Sequence, residues 1–256
     1  MVLPGGGGET STPSPEGVPL AHGAAGFFGD ALTPSDHGAF GLADRAWVIP
    51  SDDPRFSSVL RVLFPAGSAS RTSSRADGTP EGGAQLYLLL DDGPVESVRL
   101  SYHVRFPAGF AFVKGGKLPG MFGGTEMNGG RIPDGTDGLS TRFMWRRNGA
   151  GEVYAYLPTS QEHGTSLGRG SWTFPVGRWA RLEHELRLNT PGRADGSITV
   201  WLDGRKVLSQ ADLVFRSTAE LKIDGVFFST FFGGDDASWS SPADQHVGFA
   251  GFELTR

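Results

Sequence analysis

The chain has 256 residues, a net charge of −5 and no cysteine. This length suits one large all-β domain or two small ones, and the acidic balance argues against a nucleic-acid partner. The absence of cysteine excludes disulfides, thiolate chemistry and cysteine-ligated metal sites. No stretch is apolar over the length needed to span a bilayer, so we expect no membrane partner. The 39 glycines follow no collagen-like period and predict many turns.

The N-terminal segment differs in composition from the rest of the chain. Residues 1–22 are rich in Gly, Ser, Thr and Pro and hold few large apolar side chains, so we predict a disordered tail there and one folded domain over residues 23–256. The opening Met1-Val2-Leu3-Pro4 lacks a signal-peptide pattern. Because the segment resembles the linker of a secreted protein, we expect a mature secreted protein with an added Met1.

Most of the remaining signals are those of β-strands. In two stretches, apolar and polar side chains alternate with a period of two, which indicates one covered and one polar face. Asp203-Gly204 between two apolar runs is the strongest hairpin signal in the chain. The predicted strands cover residues 45–49, 58–64, 84–90, 97–106, 179–188, 197–202, 205–208, 225–232 and 247–254.

Few segments favour other structures. Residues 67–83, rich in Ser, Gly and charge, read as an exposed loop, and residues 210–216 as one helical turn. Many short strands with frequent turns predict an all-β fold, a β-jelly roll sandwich of two antiparallel sheets with a concave cleft.

Positive charge concentrates between residues 111 and 147, although the whole chain is acidic. This stretch has six basic and three acidic side chains, a net of +3. Such a patch suits a local anionic ligand, but a chance cluster of solvated charges is an equal alternative. The basic residues are Lys114, Lys117, Arg131, Arg142, Arg146 and Arg147.

Two short polar patterns lie on neighbouring predicted strands. Ser140 and Arg142 are two residues apart, as are Tyr154 and Tyr156, so each pair shares one strand face. The turn between them, Arg147 to Gly151, predicts a hairpin on which all four side chains can share one surface. Next to Lys117, such a surface can neutralise the carboxylate of an anionic sugar while a tyrosine takes up the neighbouring C5 proton. A nearby cation lowers the pKa of a tyrosine toward working pH. Alternatively, the tyrosines pack in the core and the arginine belongs to a solvated face.

The combination of motifs resembles polysaccharide lyase family 14, which contains alginate and glucuronan lyases with a β-jelly roll fold. The resemblance extends from about Phe56 to Leu254. It rests on Phe110-Ala-Phe-Val-Lys-Gly-Gly-Lys-Leu-Pro-Gly120, Phe122-Gly-Gly124, Ser140-x-Arg142-x-Met144-Trp-Arg146, Tyr154-x-Tyr156, Val62-Leu-Phe-Pro-Ala-Gly67, Asp224-Gly-Val-Phe-Phe-Ser-Thr-Phe-Phe-Gly-Gly234 and Trp239.

The resemblance implies β-elimination on a 1,4-linked polyuronate, either alginate or poly-glucuronate, with no required cofactor. Lys117 and Arg142 then bind and neutralise the carboxylate, and Tyr154 or Tyr156 moves the protons. Ser140 positions the substrate. Further substrate-binding residues are expected in Lys114, a rival match for the family lysine, and in Arg146 and His103.

Three alternatives remain open at this stage. His103 lies on the polar side of its strand and is either a cleft residue or a surface residue. Asp235 and Asp236 could bind a structural calcium ion, although an exposed loop explains them as well. The protein, expected to be a monomer, could also be a lectin-like module that binds acidic glycans without cutting them, since jelly rolls serve both roles.

Overall fold

A computed structural model describes residues 17–125, 128–234 and 236–256 of the chain. Strands dominate it, with two short helices, α1 (Leu20–Phe27) and α2 (Arg71–Asp77). Neither helix in the described residues is long and apolar enough to cross a bilayer.

Fifteen strands are described in the three segments. Their bounds are β1 Val18–Pro19, β2 Leu32–Phe40, β3 Ala46–Pro50, β4 Ser58–Phe64, β5 Ala84–Leu90, β6 Ser97–Arg105, β7 Gly115–Gly124, β8 Gly138–Arg146, β9 Gly151–Tyr156, β10 Thr165–Leu167, β11 Trp179–Arg187, β12 Gly196–Leu202, β13 Arg205–Leu213, β14 Gly225–Phe232 and β15 Gln245–Thr255.

The strands form two antiparallel sheets that pack face to face as a β-jelly roll sandwich, as predicted. The first sheet has the order β1-β3-β4-β15-β6-β11-β12-β13, and the second has the order β10-β9-β8-β7-β14-β5-β2. Most predicted strands agree with the observed bounds to within two residues at each end. The Asp203-Gly204 turn joins β12 to β13 with positive φ at both residues, as a tight hairpin turn requires.

The core lies between the sheets. Alternate side chains of β6, such as Leu100 and Tyr102, face those of the second sheet, such as Leu118 and Phe143, and all are fully buried. An aromatic cluster closes one end of this core, where the rings of Trp145 and Phe232 lie 5.3 Å apart. The indole Nε1 of Trp145 donates to the Phe112 carbonyl oxygen at 3.1 Å, which satisfies the buried polar atom and fixes β8.

Two predictions about segments outside the predicted strands were wrong. Residues 67–83 contain α2, which begins at the Ser70 cap and ends at Gly78, whose φ is 65°. Residues 210–216 do not form a helical turn, because β13 continues to Leu213 by pairing with β12. Pairing with β12 decides the local structure of β13, whereas α2 has local helix signals in its Ser70 cap and Gly78 end.

The folded part also begins earlier than residue 23. Val18–Pro19 pairs with β3, and Leu20, the first residue of α1, is fully buried. Residues 17–22, which we predicted to belong to the tail, are therefore part of the domain. Residues 1–16 lie outside the described residues.

Candidate active site

A cleft of about 630 Å³ opens on the outer face of the second sheet. Its floor comes from β7, β8, β9 and β14, and α2 forms one wall. Cationic and aromatic side chains alternate in the lining, and several of them contact each other. The lining includes Arg71, Gln85, Lys117, Arg142, Met144, Arg146, Tyr154, Tyr156, His163, Phe231 and Trp239.

The β8–β9 hairpin places four predicted site residues on one face of the sheet. In its register Ser140 pairs with Tyr156, and Arg142 pairs with Tyr154. Directly opposed residues of antiparallel strands point to the same side, so the shared surface predicted from the spacing is present. The turn between the strands contains Asn148 in the left-handed region, with φ 58° and ψ 22°, which asparagine tolerates well.

The neighbouring strand β7 adds Lys117 to this surface. A register shift between Leu118 and Met121 interrupts the β7–β8 pairing. Gly120 lies within this irregularity, and a Cβ atom there would come within 2.0 Å of the Thr141 carbonyl oxygen. Only glycine allows this close approach of the two backbones. The Pro-Gly pair of the sequence motif therefore has a structural role next to the site.

Arg142 is a buried cation at the floor of the cleft. Only 2% of its surface is exposed, and its Nη1 donates to Ser229 Oγ at 3.2 Å. Its guanidinium lies 4.5 Å from the Phe227 ring centroid. Within the three described segments, no carboxylate lies within salt-bridge distance of Arg142, and its Nε has no hydrogen-bond partner. Burial lowers the pKa of Arg142. An anion in the cleft would supply the missing partner.

Lys117 and Tyr154 contact each other directly. The Nζ atom of Lys117 lies 3.7 Å from the Tyr154 ring centroid and 2.7 Å from Met144 Sδ. We predicted that nearby cations would lower the pKa of a cleft tyrosine, and for Tyr154 this is wrong. Burial raises the pKa of Tyr154 to about 12, and Arg146 and Arg142 only partly oppose this effect. Tyr154 is therefore a protonated phenol at neutral pH.

Tyr156 is more deeply buried than Tyr154 and has a different partner. Its hydroxyl oxygen accepts a hydrogen bond from the Gly130 backbone N–H at 3.2 Å, and its ring lies 5.8 Å from that of Tyr154. Ser140, its cross-strand neighbour, is fully buried and does not line the cleft. The structure thus places Ser140 below the cleft surface, and its influence on a substrate would pass through Tyr156.

The remaining predicted cations differ in their surroundings. Arg146 lines the cleft, but its Nε donates at 2.8 Å to the fully buried carboxylate of Glu152, which also pairs with Arg169. Lys114 binds Ser238 Oγ and lies 5.6 Å from the Trp239 ring, outside the cleft lining. Of the two rival lysines, the geometry thus brings Lys117 to the site.

His103 was wrongly placed by the sequence reading. It belongs to β6 of the first sheet, on that sheet's outer face, and packs 4.8 Å from the Phe56 ring. The polar face of an alternating strand can be either a cleft or an outer surface, and the alternation alone does not distinguish them. The structure therefore removes His103 from the substrate-binding set.

Several lining residues were not predicted. Met144 lies two residues after Arg142, so the period-two spacing that was applied to Ser140 and Arg142 also puts Met144 on the same face. Arg71 comes from α2, whose Ser70 cap and Gly78 terminator are recognisable helix signals. His163 follows β9 in an exposed segment, and nothing in its local sequence pointed to the cleft.

Among the residues the structure describes, no cluster of three or more His, Asp or Glu side chains could hold a metal ion. The carboxylate of Asp236 accepts from the Ser238 backbone N–H at 2.8 Å and caps a single 3-10 turn. Asp235, the other half of the predicted calcium site, lies outside the described residues.

The chain is similar in sequence to known proteins. The family model described as Polysaccharide lyase 14 matches residues 52–252. Exolysin of Paramecium bursaria Chlorella virus 1 is 27% identical over 171 residues, which make up 54% of this chain. The match spans about a quarter, 26%, of the length of that curated relative.

Solved structures share the same architecture. A PL-14 alginate lyase from Aplysia kurodai is 31% identical with a TM-score of 0.75, covering 86% of this chain and 89% of that one. The alginate lyase vAL-1 from Chlorella virus is 23% identical with a TM-score of 0.72, covering 82% and 88%. An endo-β-1,4-glucuronan lyase from Trichoderma reesei is 12% identical with a TM-score of 0.56, covering 90% of each chain. The last two likenesses concern the fold alone.

Proposed function

The chain belongs to polysaccharide lyase family 14, and from this membership and the geometry of the cleft we propose that it cleaves a 1,4-linked polyuronate by β-elimination. The product would carry a 4,5-unsaturated uronate at its new non-reducing end. Family membership also favours this proposal over the lectin-like alternative. The tyrosines in the cleft favour it too, because a module that only binds glycans needs no proton-transfer groups beside its cations.

The observation that carries the proposal is the buried charge of Arg142, which no carboxylate of the described segments neutralises. Keeping a guanidinium away from water without a carboxylate partner is costly, and the cost is offset when the carboxylate of a uronate enters the cleft. Bound there, the cation stabilises the negative charge that develops on the carboxylate when the C5 proton leaves. Lys117, on the adjacent strand, adds a second positive charge to the same surface.

The two tyrosines divide the proton transfers in this proposal. Because the pKa of Tyr154 is about 12, its phenol is protonated and suits donation to the leaving O4 atom. Tyr156 acts as the base that takes the C5 proton, and its oxygen already accepts the Gly130 N–H. The electron pair of the C5–H bond forms the C4=C5 double bond as the C4–O4 bond breaks. Proton exchange with water then restores both tyrosines.

Alginate rich in mannuronate is the substrate we propose first. The Aplysia kurodai relative, at 31% identity and with nearly full coverage, is an alginate lyase. Poly-glucuronate is the second choice, since the same cations can bind either carboxylate. In mannuronate and glucuronate the C5 proton and O4 lie on the same side of the ring, which suits one proton acceptor and one proton donor on the same strand.

The test is a continuous absorbance assay with poly-mannuronate, poly-guluronate and poly-glucuronate offered separately. The conjugated double bond of the product absorbs in the ultraviolet, so a rise establishes elimination and names the polymer. Replacing Tyr154 or Tyr156 by Phe should each lower kcat by about 100-fold or more, the usual contribution of a general acid or base.

Tyr87→Phe is the matched control. Tyr87 lies on the same face of the second sheet, stacked 4.3 Å from Phe227, but outside the cleft lining. Its replacement should leave turnover within a factor of about three. If Tyr154→Phe and Tyr156→Phe both kept full turnover while the wild type was active, the proton-transfer assignment would be wrong.

A further inference from the structure

A second charged depression lies on the outer face of the first sheet, on the opposite side of the sandwich from the cleft. Strand pairing aligns five residues in one row across β3, β4, β15, β6 and β11: Trp47, Arg61, Gly248, Arg105 and Trp179. The central glycine has no side chain, so the row dips between the two arginines. The resulting cavity measures about 350 Å³.

We call this depression the outer trough and define it by Arg61, Arg105, His246, Gly248 and Trp179, which all line it. The Cα atoms of Arg61 and Arg105 are two strand spacings apart, about 10 Å. Both guanidinium groups can therefore reach one ligand held over the glycine. His246 lies two residues before Gly248 on β15 and so shares its face of the strand.

The charges in the outer trough are incompletely neutralised. Arg105 Nη1 pairs with Asp52 at 3.2 Å, but the Asp52 side chain is 73% exposed. In the described parts of the chain, no carboxylate lies within salt-bridge distance of Arg61. The trough thus holds net positive charge on a protein whose overall charge is −5. A local positive field on an acidic surface attracts anionic ligands selectively.

The apolar part of the outer trough suits a sugar ring. The wall beside Arg105 is Trp179, which packs with Val59 and Ile49 in a small apolar cluster separate from the main core. A Cβ atom at Gly248 would lie 3.0 Å from the Trp179 ring. Glycine therefore keeps the edge of this ring accessible from the trough. Aromatic surface next to paired guanidinium groups is the combination that recognises a carboxylated sugar.

From this arrangement we propose that the outer trough is a second, non-catalytic binding site for the uronate chain. Arg61 and Arg105 would hold a carboxylate, and the exposed edge of the largely buried Trp179 ring would contact the sugar. The choice of a uronate as ligand rests on the proposed function of the cleft. A polymer bound at this site stays near the enzyme between cleavages, which raises the effective concentration of substrate at the cleft.

The test compares Arg61→Gln with Arg187→Gln. Arg187 is an exposed arginine on the same face of the same sheet, at the far end of β11, so its replacement removes the same charge away from the trough. Affinity electrophoresis through gels containing poly-mannuronate measures binding, with Arg142→Met added to each variant to slow cleavage. Arg61→Gln should weaken binding of the polymer about tenfold, the effect expected when one charge-assisted contact is lost. Arg187→Gln should change binding little.

Kinetics provide a second readout with Arg142 intact. Arg61→Gln should raise the half-saturating concentration of the polymer several-fold, while turnover of a short oligomer that occupies only the cleft stays unchanged. Thermal unfolding of each variant checks that the sheet is intact, and Arg61→Lys, which keeps the charge, should restore most of the binding.

The outcomes separate this inference from the proposed function. Equal retention of the two glutamine variants, with an absorbance rise on the polymer, overturns the outer trough and leaves the lyase proposal standing. Retention that depends on Arg61, without an absorbance rise on any polymer, supports the outer trough and removes the proposed function instead.

Discussion

Arg142 and Arg146 lie on the same face of one strand, yet their charges are in opposite situations. Arg146 is held by the buried carboxylate of Glu152, while no described carboxylate pairs with Arg142. The first arginine is part of the scaffold, because its removal leaves a buried anion with one cation fewer. Arg142 contacts Ser229 and Phe227 but no carboxylate of the described residues, so its charge is available to a ligand.

This difference predicts opposite effects of the same substitution. Arg142→Met removes an uncompensated buried charge and should raise the free energy of unfolding by roughly 1 to 3 kcal/mol. It should also lower kcat/KM on the polymer by about 100-fold or more, as the loss of a preorganised charge does. Thermal unfolding and the absorbance assay measure the two effects.

Arg146→Met is the comparison for that experiment. Glu152 keeps Arg169 as a partner at 2.6 Å but loses the other ion pair, so stability should fall by roughly 2 kcal/mol. A stabilised Arg146→Met protein, or a destabilised Arg142→Met protein, would contradict this account of the two charges.

Tyr154 provides a prediction that depends on pH. Burial disfavours its phenolate, so the pKa is raised to about 12 and the side chain stays protonated at pH 10. The chain has four tyrosines, and burial also raises the pKa of Tyr102 well above its usual value. A spectrophotometric phenolate titration of the folded protein should therefore contain late steps from Tyr154 and Tyr102.

Tyr154→Phe should remove one late step and leave the earlier part of the titration unchanged. Loss of an early step instead would mean that the cations around Tyr154 outweigh its burial. That result would favour Tyr154, rather than Tyr156, as the group that takes the C5 proton.

At the level of elements, the sequence predicts best where structure is decided locally. The β8–β9 hairpin was predicted because its turn and both polar pairs lie within seventeen residues, and the spacing alone fixes which side chains share a face. His103 was misplaced for the complementary reason, since alternation assigns a face without telling which sheet the strand joins. The raised pKa of Tyr154 depends on packing by several segments, which no local pattern contains.

Helix α2 shows how a missed element can shape a site. Its side chains, including Arg71, form the wall of the cleft opposite the hairpin, and Ser73 Oγ donates to the Gly234 carbonyl oxygen at 2.8 Å. This hydrogen bond ties the helix to the end of β14. The orientation of α2 therefore sets the width of the cleft.

Gly78→Ala should perturb the cleft through this helix alone. Gly78 ends α2 with φ 65°, and a Cβ atom there would meet nothing within 4 Å, so the cost is conformational strain of about 1 to 2 kcal/mol. Looser anchoring of α2 should raise KM for the polymer several-fold with a smaller change in kcat. Steady-state kinetics on the absorbance assay give both quantities.

Gly192→Ala is the matched control, because it introduces the same kind of backbone strain away from the cleft. Gly192 has φ 81°, has open space around its Cβ position, and lies in the turn between β11 and β12 of the other sheet. It should cost similar stability and leave KM unchanged. If both variants raised KM equally, the effect would come from general destabilisation and not from α2.

On the scale of the whole molecule, the two sheets share a core but expose different chemistry. The second sheet presents the cleft with Lys117, Arg142 and the tyrosine pair, while the first presents the outer trough. Each of the two surfaces holds cations, although the net charge of the protein is negative. The net charge repels polyanions at long range, whereas the two local surfaces attract them. A chain that contacts both surfaces must pass around the edge of the sandwich.

A buried histidine in the shared core makes the stability of the protein depend on pH. His184 on β11 is fully buried against Phe143, with ring centroids 5.0 Å apart, and neither ring nitrogen has a hydrogen-bond partner in the described structure. Burial lowers the pKa of His184 to about 3. Between pH 6.5 and 3 the unfolded chain takes up a proton at this residue and the folded chain does not. Stability therefore falls as the pH drops through this range, by up to about 1.4 kcal/mol per pH unit.

His184→Leu should remove that dependence. Leucine fills a similar volume without polar atoms, so the variant should be at least as stable as the wild type at pH 7 and increasingly more stable toward pH 4. Urea unfolding at a series of pH values measures the difference, with His22→Gln, a change at an exposed residue of α1, as the control. A constant difference between His184→Leu and wild type across this range would mean that the folded core accepts the proton. The histidine would then need a polar partner that forms on acidification, and the sheets would have to separate locally to admit it.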